Sequence, residues 1–152
     1  MARHVREVIG SCETIAPIGA TLEERLASIA TAILQKILTT ETVGLVRATV
    51  AEARRFPDLA SRVHRMGRER GTEAVAQLLS ELPQSGEMRA LPAFAVERRP
   101  ATAKYFTEMI VLPLLMRALF GEDMTALRAE IEPHVARTVA FFLAACRHGG
   151  VD

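Results

Sequence analysis

The sequence predicts an all-α protein, an antiparallel helical bundle of about five to six helices. Three observations carry this. No segment alternates apolar and polar residues with a period of two, as a half-buried strand does. Apolar residues instead recur every three or four positions in successive stretches. The stretch Met109–Met116, MIVLPLLM, is apolar almost all the way round a helix, a pattern that calls for burial on every side. In a domain of this size the simplest cover is a second copy of the chain, so the last two helices are expected to form a four-helix bundle between two protomers.

The 152 residues fit one domain, large enough for a real core. Apolar residues make up 49% and charged residues 24%, which argues against disorder. Aromatics are 5% with no Trp, so the core must be aliphatic. A net charge of +1 gives no overall field that would make nucleic acid the partner of this segment. Cys12 and Cys146 stand far apart and form no disulfide framework, which reads as a reducing, cytoplasmic location. The start, MARHVREVIGSCETIAP, lacks a signal-peptide core. The run Met109–Met116 is far short of the roughly 20 residues that span a bilayer, so no membrane is implied.

Ala2 to about Ile9 reads as a short charged helix, broken up by Gly10, Pro17 and Gly19. Thr21 and Glu24 then form an S/T-x-x-E capping pattern ahead of LEERLASIATAILQKIL. Leu22, Leu26, Ile29, Ile33, Leu34, Ile37 and Leu38 make one apolar stripe on that helix. Burying each contributes about 1.5–3 kcal/mol, so together they supply on the order of 10 kcal/mol as an upper bound.

Thr40 or Thr42 starts a second helix reaching about Arg55, with Val43, Val46, Val50 and Ala53 on one side. Pro57 ends it, because a proline pushes the residue before it out of the helical region. Phe56 is expected to plug the corner, and Arg54 and Arg55 to be the solvated helix end. Pro57-Asp58 opens a third helix to about Leu82, with Leu59, Val63, Met66, Ala74, Leu78 and Leu82 sharing a face. Gly67 and Gly71 weaken it and suggest close approach of a neighbour, or room left for something else.

Pro83–Pro100 is a long connection with Leu91, Phe94 and Val96 inside it, fit to carry a short helix or to lie over an opening. Ala101–Phe120 is the very apolar helix, kinked at Pro113 and stopped by Gly121. Thr125–Arg147 is the last, with Leu127, Ile131, Val135, Thr138, Phe142 and Ala145 as its stripe, Phe141 beside it, and Pro133 inside.

Chemistry is sparse. There is no nucleophile elbow, phosphate loop or CxxC, and no catalytic set converges. Glu130 and His134 lie one turn apart, but two ligands do not make a zinc site, and they read as a solvated pair. No metal and no cofactor is implied. Some polar residues do sit among apolar ones. His64, Arg70 and Tyr105, set against Met66, Phe106 and Met109, suit a small-molecule pocket. They equally suit a core edge from which Arg70 reaches water.

LVRATVAEARRFPDLASRVHRMG, with its V-x-E-A-x-R-F-P-x-L run, resembles the C-terminal domain of TetR/AcrR-family transcriptional regulators, in the AefR-like group. LEERLASIATAILQKIL is similar to the family's first helix after its DNA-binding part. Gly86, Glu87, Met88 and Arg89 resemble its G-E-L-R turn, and LPLLMRALFG its penultimate helix. The likeness runs over roughly 1–148. Two departures stand out. Met1 comes directly before what looks like the end of the connecting helix, where the family has a helix-turn-helix domain. ALPAFAVERR (90–99) replaces the usual acidic spacer.

The resemblance implies one regulatory domain: the end of the connecting helix and linker over 1–19, ligand-sensing helices over 20–100, and dimerisation helices over 101–148. It implies a homodimer and a small hydrophobic effector, which would control DNA through a helix-turn-helix outside this segment. Leu112, Leu115, Met116, Leu119, Ile131, Val135, Thr138 and Phe142 are the expected interface residues. A helical interaction module or antagonist with no ligand is the alternative. An all-α enzyme is the weakest reading.

Overall fold

The computed structural model describes residues 18–81, 86 and 91–148; the side chains of Arg70, Ala74 and Leu78 are outside that description. The expected N-terminal helix, Cys12, Leu82 and the turn residues Glu87 to Arg89 also lie outside the described residues. The described chain is all-α, as the periodicity predicts. Its helices are α1 (Leu22–Ile37), α2 (Thr40–Glu52), α3 (Pro57–Glu81), α4 (Arg99–Leu119), α5 (Met124–Ala129) and α6 (Ile131–Arg147), with a 3₁₀ turn at Pro92–Phe94.

α1 carries the predicted capping box. The Glu24 N–H donates to Thr21 Oγ1 (3.1 Å), and the Glu24 carboxylate accepts from the Ala20 and Thr21 N–H groups at 2.8 and 3.2 Å. Those donors, Ala20 first, lower the Glu24 pKa below the usual carboxylate value. Leu26, Ile29, Ala30, Ile33 and Leu34 are buried along one side. A single extended residue, Thr39, separates α1's end at Leu38 from α2, and its hydroxyl accepts from the Thr42 N–H at 3.2 Å. Thr39 is therefore the cap, where the sequence pointed to Thr40 or Thr42. α2 buries only Val43, and Val50 is 63% exposed.

α3 departs most from expectation. Pro57 occupies its first turn, where the missing N–H costs no hydrogen bond. The buried residues are Val75 and Leu79, whereas Leu59 is 59% exposed and Met66 38%. At roughly 100° per residue, roughly 160° separates Leu59 from Val75. Leu59 and Met66 of the stripe read from the sequence therefore face away from the body, while Val75 and Leu79, outside that stripe, pack inward. Gly67 and Gly71 admit no neighbour, since nothing stands within 4 Å of a Cβ built on either. Phe56 does not plug the corner. It is 47% exposed, with the Arg55 guanidinium 5.1 Å from its ring centroid.

The long connection joins the core at Leu91, Ala93 and Phe94. The Thr102 hydroxyl donates to the Ala93 carbonyl and fixes the 3₁₀ turn on α4. The expected last helix is two. Asp123 caps α5, accepting from the Ala126 N–H at 2.8 Å, so the helix starts at Met124, one residue ahead of the expected Thr125. The chain breaks at Glu130 because Pro133 has no N–H for the Ala129 carbonyl and its ring crowds that oxygen. Phe106, Ile110, Leu114, Val139, Phe142 and Leu143 join the α1 stripe in one core. No single described helix is long and apolar enough to cross a membrane.

Candidate functional site

The pocket candidates fall into different environments. His64 is exposed, and Met66 lies on α3's outward face. Arg70 is on the same helix, its side chain outside the description. Phe106 has no exposed surface, and its ring meets Phe142 edge-on at 5.0 Å between centroids. Its neighbour Tyr105 is 42% exposed, with the Lys104 ammonium 5.7 Å from its ring centroid. Met109 packs against the core and also reaches the surface beside α6. Adjacent helical residues point roughly 100° apart, so Tyr105 and Phe106 cannot line one wall.

Two open depressions mark the described surface. One, of about 480 Å³, lies between the start of α1 and α6, along Thr21, Glu23, Glu24, Ala27, Ala136 and Val139. The other, of about 420 Å³, lies between α4 and α6 and is lined by Met109, Pro113, His134, Arg137, Thr138 and Phe141. Around the second runs an apolar face. On α4, Tyr105, Met109, Leu112, Met116 and the terminal Phe120 recur at helical spacing, with Leu112 47%, Met116 45% and Phe120 86% exposed. On α6, Phe141 is 67% exposed.

The expected interface residues divide over this geometry. Leu112 and Met116 point outward, Leu115 and Leu119 are half-buried against the core, and Thr138 lines the groove. Ile131, Val135 and Phe142 are 5%, 2% and 3% exposed. They belong to the stripe that α6 buries in its own chain, which leaves them almost no surface to offer a partner. The outward side of α6 is carried by His134, Arg137 and Phe141. The sequence places Phe141 beside the stripe but not which of the two adjacent phenylalanines looks out.

Two arginines fasten the C-terminal end of α4. Arg47 of α2 donates to the Ala118 carbonyl (2.6 Å), which also accepts from the Gly121 N–H at 3.1 Å, and to the Leu119 carbonyl (3.2 Å), both in the last turn of the helix. Arg117 grips Glu122 and also pairs with both oxygens of Glu130, at 2.7 and 2.8 Å. Its guanidinium lowers the pKa of both carboxyls. His134 Nε2 lies 2.9 Å from the Ile110 carbonyl. Glu130 and His134 are thus each engaged with α4, and are not the solvated pair their spacing suggested. Among the described residues no three His, Cys, Asp or Glu side chains gather as metal ligands.

An all-α bundle that leaves one apolar face open across α4 and α6 has the build of a regulatory or association domain. Residues 24–147 match the family of the AefR-like transcriptional repressor C-terminal domain, and the chain belongs to that family of TetR-type domains. The match extends from the first turn of α1 to the last residue of α6. No curated protein and no solved structure matches the chain significantly. Domains of this type are the effector-binding parts of transcriptional regulators.

Proposed function

We propose that this chain is the effector-sensing and homodimerising domain of a TetR-type repressor, acting on DNA through a helix-turn-helix outside this segment and working in the cytoplasm. The observation that carries the reading is the open apolar face across α4 and α6, with Leu112, Met116, Phe120 and Phe141 exposed together. Isolated exposed apolar side chains are ordinary, but a contiguous set of this kind marks an association surface. A small hydrophobic effector acts by binding two arrangements of the helices unequally and shifting the balance between them. The candidate contacts that remain for it are His64, Met66, Arg70, Tyr105 and Met109; Phe106 belongs to the core.

Light scattering across the micromolar range is expected to report a dimer, and a concentration-independent monomer would remove the association half of the proposal. Native mass spectrometry together with a thermal-shift screen of small apolar compounds tests the sensing half. A co-purified ligand, or a compound that raises the melting temperature, is expected.

A second reading keeps the association surface and drops the ligand. Full burial of Phe106, at the centre of the candidate set, favours it, because the interior at that point is already filled. Mixing the chain with a full-length relative separates the readings: heterodimers with no ligand response support an antagonist.

A further inference from the structure

Phe141 stands 67% exposed at the rim of the α4–α6 groove. A phenyl ring left in water beside a partly apolar hollow is a knob next to a hole. The hollow has a specific origin. Pro113 lies inside α4 without an N–H, so the Met109 carbonyl loses its usual helical donor and this turn exposes backbone oxygen. His134 reaches across from α6, and its Nε2–H donates to the neighbouring Ile110 carbonyl at 2.9 Å. Because that partner is a carbonyl, the proton resides on Nε2. The bond ties α6 to the turn that precedes the proline. It holds α4 and α6 at a fixed spacing on either side of the hollow, while the imidazole forms part of the lining. Thr138 and Met109 complete the walls, and the charged Arg137 stands exposed among them.

A two-fold interface places the same patch on both subunits, so a knob and a hole on one patch can be filled twice. Fully desolvated aromatic side chains seated in pockets near the centre are the usual anchors of such contacts. We propose that Phe141 of each copy seats in the groove formed by Met109, Pro113, His134 and Thr138 of a second copy, and that His134 acts as a positioning residue keeping that groove fit for an apolar ring. The occupant is a second copy because the knob and the hole lie on the same open face, continuous with Leu112 and Met116. The inference rests on the dimer reading above and goes further by naming its anchor.

Sedimentation equilibrium on the 152-residue chain tests it. Phe141→Ala is expected to raise the dimer dissociation constant about tenfold or more, with an unchanged helical circular-dichroism signal, because the side chain is exposed in the single subunit. Phe120→Ala removes a ring of the same size, 86% exposed on the same face but outside the groove, and is expected to change the constant by about twofold at most. His134→Ala is expected to weaken association as Phe141→Ala does, and His134→Gln, which keeps a donor, to recover part of it. A wild-type dimer that Phe141→Ala leaves equally tight overturns the anchor while the dimer reading stands. Equal weakening by Phe120→Ala also overturns it, since the face would then act without a specific site. A wild-type monomer at every concentration removes the dimer reading itself.

Discussion

At position 106 a phenyl ring has no exposed surface and meets Phe142 edge-on, and those two facts decide between a pocket wall and a core strut. Phe142 in turn stands edge-on to Phe94, 6.3 Å away between centroids, so three rings join α4, α6 and the 3₁₀ turn. Removing the middle of α4's contribution leaves a void that close-packed neighbours fill only in part. Phe106→Ala is therefore expected to destabilise the chain by about 3–5 kcal/mol, and Phe106→Leu by much less, as read from urea denaturation. A ring that merely lined an empty ligand site would be lost at little cost. The neighbouring Tyr105 looks outward, so a change there should leave stability nearly untouched. Cys146 illustrates the same logic of surroundings. Burial pushes its thiol up to about 11, which keeps it neutral near pH 7 and makes it the small apolar filler its position suggested.

Among the helices, α3 is the one whose packing is least even. Its C-terminal half is anchored by Val75 and Leu79, while most side chains from Asp58 to Glu69 are exposed, and only Ala60 and Val63 are half-buried. Gly67 and Gly71 lie in this helix with open space where a Cβ would go. Each glycine leaves the unfolded chain extra freedom that folding must remove, with no contact in return. Gly67→Ala and Gly71→Ala are each expected to stabilise the chain by about 0.5–1 kcal/mol, measured by the same denaturation. Destabilisation at either position would mean that a neighbour does approach there.

The reason α3 was the hardest helix to orient is general to what a single sequence shows. Local signals read well: the Thr21–Glu24 box and the α1 stripe are set by spacing within one turn or one face, and both stand as read. The direction in which a stripe faces is not local. α3 has two apolar sides, and only its neighbours decide that Val75 and Leu79 go in while Leu59 and Met66 go out. The same holds for α6, where Phe141 and Phe142 are adjacent and chemically identical, yet one is 67% exposed and the other 3%. Pro133 was legible as a disturbance, but not that it would split the segment into two helices at Glu130. The groove could not be read at all, because the His134–Ile110 bond joins positions on different helices.

In the whole molecule α4 is the hub. It packs against α1, α2, α3, α5, α6 and the 3₁₀ turn. Its inner side gives Phe106, Ile110, Leu114 and Ala118 to the core, and its outer side gives Leu112 and Met116 to the open face. α6 is built the same way, with Val139 and Phe142 inside and Phe141 outside. One helix pair therefore serves folding with its inner side and association with its outer side. A second copy that binds the folded chain and not the unfolded one acts as a stabilising ligand, so stability must depend on concentration. Well above the dissociation constant, a tenfold rise in protein adds about 1.4 kcal/mol per dimer, about 0.7 per chain, enough to move the melting temperature by about two degrees. A calorimetric series over a hundredfold range of concentration is expected to show that steady upward shift for the wild type. Phe141→Ala should flatten it over the lower part of the range, while its melting temperature at the dilute end stays with the wild type, because the ring contributes nothing inside a single subunit. A wild-type melting temperature independent of concentration would break the link between the α4–α6 face and the fold.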